Sequence, residues 1–445
     1  MKKLKYILSV SLAMMAGGII AQNTTPTADQ LSLQKAIETA MVNNYDLKIA
    51  GNSLKKAENN NTAGNAGLLP SVSINGGTEY SNNDSEMQLN GTGNDAVVTT
   101  DGAESMSYNA SARVDYTLFD GFGNVYTRKK LKQANMLQET LYRQQMEMTI
   151  LQVVQYYYEA CRAQQNLTLA QESMRISRDR YTRAKDQKTY GQANQLDLLN
   201  AEVDMNSDST AILQAEQALL MGIKNLNVVM GTAISNTYSF DDQVTFLDDL
   251  TAESVMTETM LNNSSLLSQQ QQQGISRMDL KITQAAKYPT LSAYGQYGYN
   301  RQDNDAGQLA YNQNLGTTAG VSLKFNVFNG RQQRTREQNA KLDLRSQLER
   351  TFQIQSELER DAANAYTDYD YKRRIADLQQ SSLKQAKLNF DQTKEMFQLG
   401  RVTSIEFRTA QQNLLNVANK YNDALFQAKV AEYNLLQLTG TLIKG

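Results

Sequence analysis

Residues 108–121 read Tyr108-Asn109-Ala110-Ser111-Ala112-Arg113-Val114-Asp115-Tyr116-Thr117-Leu118-Phe119-Asp120-Gly121. Tyr108, Ala110, Ala112, Val114, Tyr116 and Leu118 fall on one face, and Asn109, Ser111, Arg113, Asp115 and Thr117 on the other. Side chains alternate across a strand, so period two with one apolar face predicts a half-buried strand. The run exceeds the roughly 5–6 residues of a typical globular strand and suits a tilted membrane-crossing strand of about 9–11. Beyond Gly121 the character changes. No Pro, and no Gly after Gly123, occurs until about Lys188. An unbroken helix over that stretch would be about 100 Å long, far beyond the usual 10–14 residues.

The pattern occurs twice. Leu315, Thr317, Ala319, Val321, Leu323, Phe325 and Val327 alternate with Gly316, Thr318, Gly320, Ser322, Lys324 and Asn326, and another helix without Pro or Gly runs from Gly330 to about Gln398. Asn43-Asn44 matches Asn262-Asn263, Pro70 matches Pro289, Phe119-Asp120-Gly121 matches Phe328-Asn329-Gly330, and Gly231-Thr232 matches Gly440-Thr441. The chain has only 3 prolines, and two of them occupy equivalent positions. The sequence therefore predicts a duplicated unit of helix, strand, loop, strand, very long helix, turn and returning helix. The first copy spans 22–230, a linker 231–258 and the second copy 259–445, after a signal peptide at 1–21. Lys2, Lys3 and Lys5 supply the charged region of that peptide, Tyr6 to Ala16 the apolar region, and Ile19-Ile20-Ala21 the cleavage site. The opening helix is expected from Leu31 to Gly67, ended by Pro70. The strands are expected at about 70–81, 106–119, 289–299 and 315–328, with long polar loops at Ser81–Ser105 and Asn300–Asn314. Tyr80, Phe119, Tyr299 and Phe328 collect toward strand ends, as in the aromatic girdles of membrane barrels.

The returning helices carry heptad seams. Leu414, Val417, Tyr421, Ala424, Ala428, Ala431, Leu435 and Leu438 are spaced by alternating threes and fours, and their counterparts are Met205, Asp208, Ile212, Ala215, Leu219, Gly222, Leu226 and Val229. The turns before them are duplicated as well. Gly191-Gln192-Ala193-Asn194-Gln195-Leu196-Asp197 aligns with Gly400-Arg401-Val402-Thr403-Ser404-Ile405-Glu406. Gly191 and Gly400 are expected to end one helix in a left-handed conformation, and Asn194 with Asp197, and Thr403 with Glu406, fit N-cap and N3 positions of the next.

Four strands cannot close a membrane barrel, which needs about eight or more. Two chains would supply eight and three would supply twelve, and the arithmetic does not choose. The 445 residues carry a net charge of −2 and hold neither His nor Trp. His- or Cys-built zinc sites, Ser-His-Asp triads and Cys-His pairs are excluded, and no basic block suggests nucleic acid. Cys161 is the single cysteine. It lies on an apolar stripe with Ile150, Val154 and Tyr157 and reads as packing. Nothing points to an enzyme or to a cofactor. No later segment reaches the 18 or so consecutive apolar residues of a membrane helix.

The strand-to-helix junctions at 118–121 and 327–330, the Gly-x-x-[Asn/Thr]-x-x-[Asp/Glu] turns, the duplication and the element order together resemble the TolC-type outer-membrane efflux family, over essentially the whole mature chain. The resemblance implies a mixed α and β membrane protein: a homotrimer with a twelve-stranded barrel in the outer membrane of a Gram-negative cell and a coiled-coil α-barrel crossing the periplasm. It implies a passive exit duct of a tripartite efflux or type I secretion system, partnered by a periplasmic adaptor and an inner-membrane pump. The linker would pack around the middle of the tunnel. The turns, Gly191, Gln192, Ala193, Asn194, Gly400, Arg401, Val402 and Thr403, would be the tips that dock the adaptor. Glu406 matches an acidic position that narrows the pore in the family. Thr409 stands where a second acid is often found, so a double acidic ring is in doubt, and Arg408 is placed to pair with Glu406. Asp197 is the equivalent acid of the first turn. The competing expectation is a secreted coiled-coil scaffold or adhesin without a pore, which leaves the duplicated strands unexplained.

Overall fold

A computed structural model describes residues 29–88, 97–191, 194–247, 250–306 and 309–443; the expected signal peptide lies outside them. In chain order the elements are β1 (Asp29–Leu31), α1 (Leu33–Asn43), α2 (Tyr45–Asn60), β2 (Ser71–Gln88), β3 (Val97–Phe119), α3 (Gly123–Thr189), α4 (Gln195–Met230), β4 (Tyr238–Phe240), α5 (Ala252–Asn262), α6 (Ser264–Ala285), β5 (Thr290–Asn304), β6 (Tyr311–Lys324), α7 (Gln332–Gln398) and α8 (Ser404–Leu438). The series α5 to α8 repeats the order of α1 to α4. Both α3 and α7 run for 67 residues without a break.

The four long strands form one antiparallel sheet in the order β2-β3-β5-β6. Its register sorts the side chains. Val72, Ile74, Tyr80, Tyr108, Val114, Tyr116, Tyr297, Leu315, Val321 and Leu323 share one face and are exposed; Ile74 is 86% and Leu323 70% accessible. The opposite face carries Ser73, Asn75, Ser111, Gln296, Asn300, Asn314 and Thr318. Met106 to Leu118 covers about 40 Å along the strand at roughly 3.3 Å per residue, or about 28 Å of height at a tilt near 45°. That matches the apolar band of about 25 Å on membrane barrels. No helix among the described residues is long and apolar enough to cross a membrane.

The ladder continues where loops were expected. β2 and β3 pair beyond Tyr80 as far as Gln88 and Val97, with an irregularity between Asn83 and Ser85. Ser81 and Ser105 hydroxyls meet at 2.7 Å and Asp84 accepts from the Gly102 N–H at 2.7 Å. Backbone pairing is indifferent to side-chain polarity, so polar strands persist as a ribbon. At the other end β6 stops at Lys324, short of 328.

Each long strand feeds a long helix through the same junction. Gly121 and Phe122, and Gly330 and Arg331, are successive residues at positive φ. A side-chain oxygen of Asp120 accepts from Asn124 N–H at 2.7 Å, and Asn329 accepts from Gln333 N–H at 3.4 Å. The reversal thus needs a side-chain acceptor one residue before the glycine, which Asp and Asn both supply.

The opening helix is not continuous. Asn44 leaves helical conformation, its side-chain oxygen accepts from Leu47 N–H at 3.0 Å, and its amide donates to Val229 O at 2.8 Å. Asn263 does the same in the second copy, donating to Leu438 O at 2.8 Å. Each asparagine therefore breaks a helix and pins it to the end of a returning helix. Gly231 (φ 66°) and Gly440 (φ 66°) close the lock: a Cβ on Gly231 would lie 2.6 Å from Asn43 O, and one on Gly440 2.3 Å from Asn262 O.

The core lies at mid-height, where Val153, Val154, Tyr157, Cys161, Leu226, Met230 and Phe240 pack. β4 pairs in parallel with β1, and the Tyr157 hydroxyl reaches Leu31 O at 2.9 Å and Asp241 O at 3.1 Å, fastening the linker to α3. Cys161 is fully buried there, and burial pushes its thiol far up. The linker then crosses to α8, where Lys429 Nζ donates to Thr245 O at 2.6 Å and Glu432 accepts from Leu247 N–H at 3.2 Å.

The lock predicts unequal costs for the same substitution. Gly191→Ala meets open space and bears only the left-handed penalty, about 1–2 kcal/mol. Gly440→Ala adds overpacking against backbone, about 1–3 kcal/mol more. Denaturant unfolding followed by the helical signal checks this, and equal losses at the two sites would refute the lock.

Candidate functional site at the helix turns

The turn from α3 to α4 begins at Gly191, φ 73°, and the turn from α7 to α8 at Gly400, φ 72°. Among the described residues no atom lies within 4 Å of a Cβ placed on either glycine, so left-handed backbone, not crowding, requires glycine there. Gly400 N–H bonds Phe397 O at 3.1 Å and Arg401 N–H bonds Met396 O at 2.9 Å, satisfying the last carbonyls of α7. Asn194 accepts from Asp197 N–H at 2.9 Å. Thr403 accepts from Glu406 N–H at 3.2 Å while Glu406 accepts from Thr403 N–H at 2.7 Å, a complete capping box. Gly191, Asn194, Asp197, Gly400, Arg401, Thr403 and Glu406 are exposed and Val402 is half-buried. Gln192 and Ala193 lie outside the described residues. The backbone N–H and hydroxyl of Thr403 hold the Glu406 carboxyl below its ordinary range.

Arg408 does not pair with Glu406. Glu406 is engaged in its cap, and Arg408 turns inward to Asp208 on α4, with Nη1 2.8 Å from Oδ2 and Nη2 2.8 Å from Oδ1. Ser177 and Ser173 of α3 donate to the same carboxylate at 2.5 and 3.1 Å, and Gln411 Nε2 donates to Ser173 O at 3.1 Å. Asp204 pairs with Arg180 and lies 3.6 Å from Arg408 Nε. Three helices thus meet around one buried ion pair, Arg408 with Asp208, and a second, Arg180 with the half-buried Asp204. Burial alone would push Asp208 up, but the Arg408 and Ser177 hydrogen bonds and the Arg408 charge bring its carboxyl below the ordinary range. Burial, and then the neighbouring Arg408 charge, brings Arg180 down to about 10. The sequence did hold a signal for this node: Asp208 is a carboxylate in an otherwise apolar heptad seam, and a buried charge demands a partner. Beside the node, Phe407 stacks on Phe397 at 4.6 Å, and Arg183 covers Phe397 while donating to Gln398 O at 3.2 Å.

Comparison with known proteins agrees along the whole chain. A model of the outer membrane efflux protein family matches residues 36–232 and 255–441. The proteases secretion protein PrtF of Dickeya chrysanthemi is 22% identical over 458 aligned residues, covering 99% of this chain and 93% of that protein. The toluene efflux pump outer membrane protein TtgC of Pseudomonas putida is 24% identical over 204 residues, covering 46% of this chain and 40% of that one. Among solved structures, the Campylobacter jejuni CmeC outer membrane channel superposes with a TM-score of 0.75 at 16% identity, covering 98% of this chain and 94% of that one. The open state of the Neisseria gonorrhoeae MtrE outer membrane channel gives 0.69 at 15%, covering 92% and 89%.

Removing one partner of the node strands the other. Arg408→Leu is expected to destabilise the turn region by about 3–5 kcal/mol, and Arg408→Leu with Asp208→Leu to recover most of it. A carboxyl lowered in the folded state stabilises above its unfolded pKa, near 3.9, and that contribution is lost as pH falls through its lower folded value. Hydrogen-exchange protection of residues 173–180 and 204–212, taken relative to the intrinsic rate at each pH, should fall below about pH 4 in the wild type. The same loss of protection in the double variant would remove Asp208 as its source.

Proposed function

We propose, from the premise that this chain belongs to the outer membrane efflux protein family, that three copies build one continuous duct, with a twelve-stranded barrel above a helical tunnel. As a member of that family the chain is the outer-membrane channel component of a tripartite efflux or secretion system, and it extends into the periplasm. Such components work with a periplasmic adaptor and an inner-membrane pump, which leaves the duct itself passive. We read 22–230 and 259–445 as two copies of one unit, joined at mid-height by 231–258.

The observation that carries the closed ring is a sheet with an apolar outer face and, among the described residues, two unpaired edges, β2 and β6; the number three follows from membership of the family. Unpaired backbone groups in lipid cost several kcal/mol each, so β6 of one copy pairs with β2 of the next until the ring closes. The helices carry the same asymmetry. Within one chain α3 of the first repeat packs on α6 of the second, while among the described residues α7 makes no comparable contact with α2. A Cβ on Gly121 would lie 2.5 Å from Ala285 O, whereas the equivalent Gly330 faces open space. What Gly330 lacks is the α2 end of another copy. Exposed Leu199, Val203, Leu213 and Leu220 on α4, and Tyr371, Ile375 and Leu378 on α7, supply the apolar surfaces for that contact.

The turns are the tips that receive the adaptor, through Gly191, Gln192, Ala193, Asn194, Gly400, Arg401, Val402 and Thr403. Glu406 and Asp197, both exposed in the first turns of α8 and α4, are the acids that line the narrow end. Arg408 serves that end from behind by anchoring α8 to α3 and α4.

Single-channel conductance in a planar bilayer, with mass measured in detergent, tests the reading. Discrete conductance from a species of three chains is expected. A soluble, non-conducting protein would overturn it in favour of a secreted coiled-coil scaffold. For the tips, Gly400→Pro should leave the assembled mass unchanged and abolish export. Unchanged export would remove the docking assignment.

A further inference from the structure

The polar face of the sheet is nearly free of charge. Over 71–81, 105–117, 292–304 and 312–324 it presents Ser, Thr, Asn, Gln and Gly with one aromatic, Tyr294, and its charged side chains are Glu79, Arg113, Asp115 and Lys324. Glu79 and Lys324 sit near opposite ends of the ladder, and Arg113 and Asp115 lie between them. These two are bound to each other. Arg113 Nε lies 2.8 and 3.0 Å from the two carboxylate oxygens of Asp115, and Nη2 lies 2.9 Å from Oδ1. Nη1 reaches Gln296 Oε1 at 3.4 Å, and the guanidinium covers the Tyr294 ring at 4.6 Å. Tyr294 in turn lies across Gly320, where a Cβ would come within 2.8 Å of its hydroxyl oxygen. The guanidinium is therefore held against the wall by groups of two neighbouring strands, β3 and β5, in the one place that cancels the nearby carboxylate.

We propose that the Arg113–Asp115 pair, fixed by Tyr294 and Gln296, keeps the middle of the barrel wall electrically neutral, so that the exit passes polar cargo of either charge sign and leaves charge selection to the helix turns. The proposal rests on the duct reading, in which this face lines water. In a ring of three, loss of either partner would leave three like charges facing one lumen, and the pairing prevents that.

The test is a thiol placed at Ser73→Cys, directly across from Arg113 on β2. Native Cys161 is buried and remains silent. Rates of modification by a trimethylammonium and a sulfonate methanethiosulfonate, added from the extracellular side, are compared as a ratio and referenced to a small free thiol. Each variant is first checked for assembled mass. A unit charge about 8 Å away through water changes the local concentration of each reagent about twofold, in opposite senses, so the ratio moves on the order of fivefold. With the pair intact the ratio should stay within about twofold of the reference. Adding Arg113→Gln should shift it toward the cationic reagent, adding Asp115→Asn toward the anionic one, and adding both should restore it. Ratios unmoved by the single changes, or already biased with the pair intact, would overturn the proposal while leaving the duct in place. Failure of both reagents to reach the thiol in a correctly assembled protein would show a face without water and sink the duct reading itself.

Discussion

A peptide N–H or C=O that faces hydrocarbon has no water to bond, and this constraint governs the molecule. The four-stranded sheet turns an uncharged apolar face outward over Val72–Tyr80, Met106–Leu118, Leu291–Tyr299 and Leu315–Leu323, yet both of its edges are open within one chain. Edges in lipid must be paired, and on the proposed reading the chain is therefore one segment of a closed surface. The helices follow from that closure. Each unit hangs one 67-residue helix from its second strand by a tight reversal and returns by a shorter one, so that in the proposed trimer a ring of sheet would continue into a ring of helices. Burial in a single chain is accordingly concentrated at mid-height, where the linker and the helix breaks meet, and is sparse elsewhere.

Duplication lets one set of local solutions serve twice. The two asparagine breaks at Asn44 and Asn263, the two glycine closures at Gly231 and Gly440, and the two left-handed junctions repeat with matching bonds. The copies diverge where function or assembly differs. The Arg408–Asp208 node joins α8 of the second copy to α3 and α4 of the first, and residues at equivalent positions, Leu199 and Val417, cannot form a second such node. Gly121 and Gly330 keep the same backbone, but only the first finds its neighbour within the chain.

How much of this was legible in the sequence depends on the range of the interaction. Alternation in the strands and the absence of Pro and Gly in α3 and α7 are local patterns, and they pointed to long strands and long helices directly. The turn glycines and their caps are local too, because Thr403 and Glu406 satisfy each other within one turn. The helix breaks were hidden, since Asn44 reads as an acceptable helix residue until Val229 O offers its amide a partner 185 positions away. Arg408 was misassigned to its sequence neighbour Glu406 for the same reason: its true partner lies 200 positions off. The ends of the strands were misjudged because polar ribbon and polar loop have one composition, and only backbone pairing separates them.

The contact between Arg143 Nη2 and Gly440 O spans 297 positions and completes the junction where Glu147 meets Ser264. That span has a consequence in time. At about 5–20 residues per second, a ribosome needs roughly 15–60 s to deliver the second partner after the first. Through that interval α3 has no finished seat, and for about the first half of it β3 lacks β5. The clasp therefore closes only after both repeats have been made, so the mid-height junction is completed late in folding.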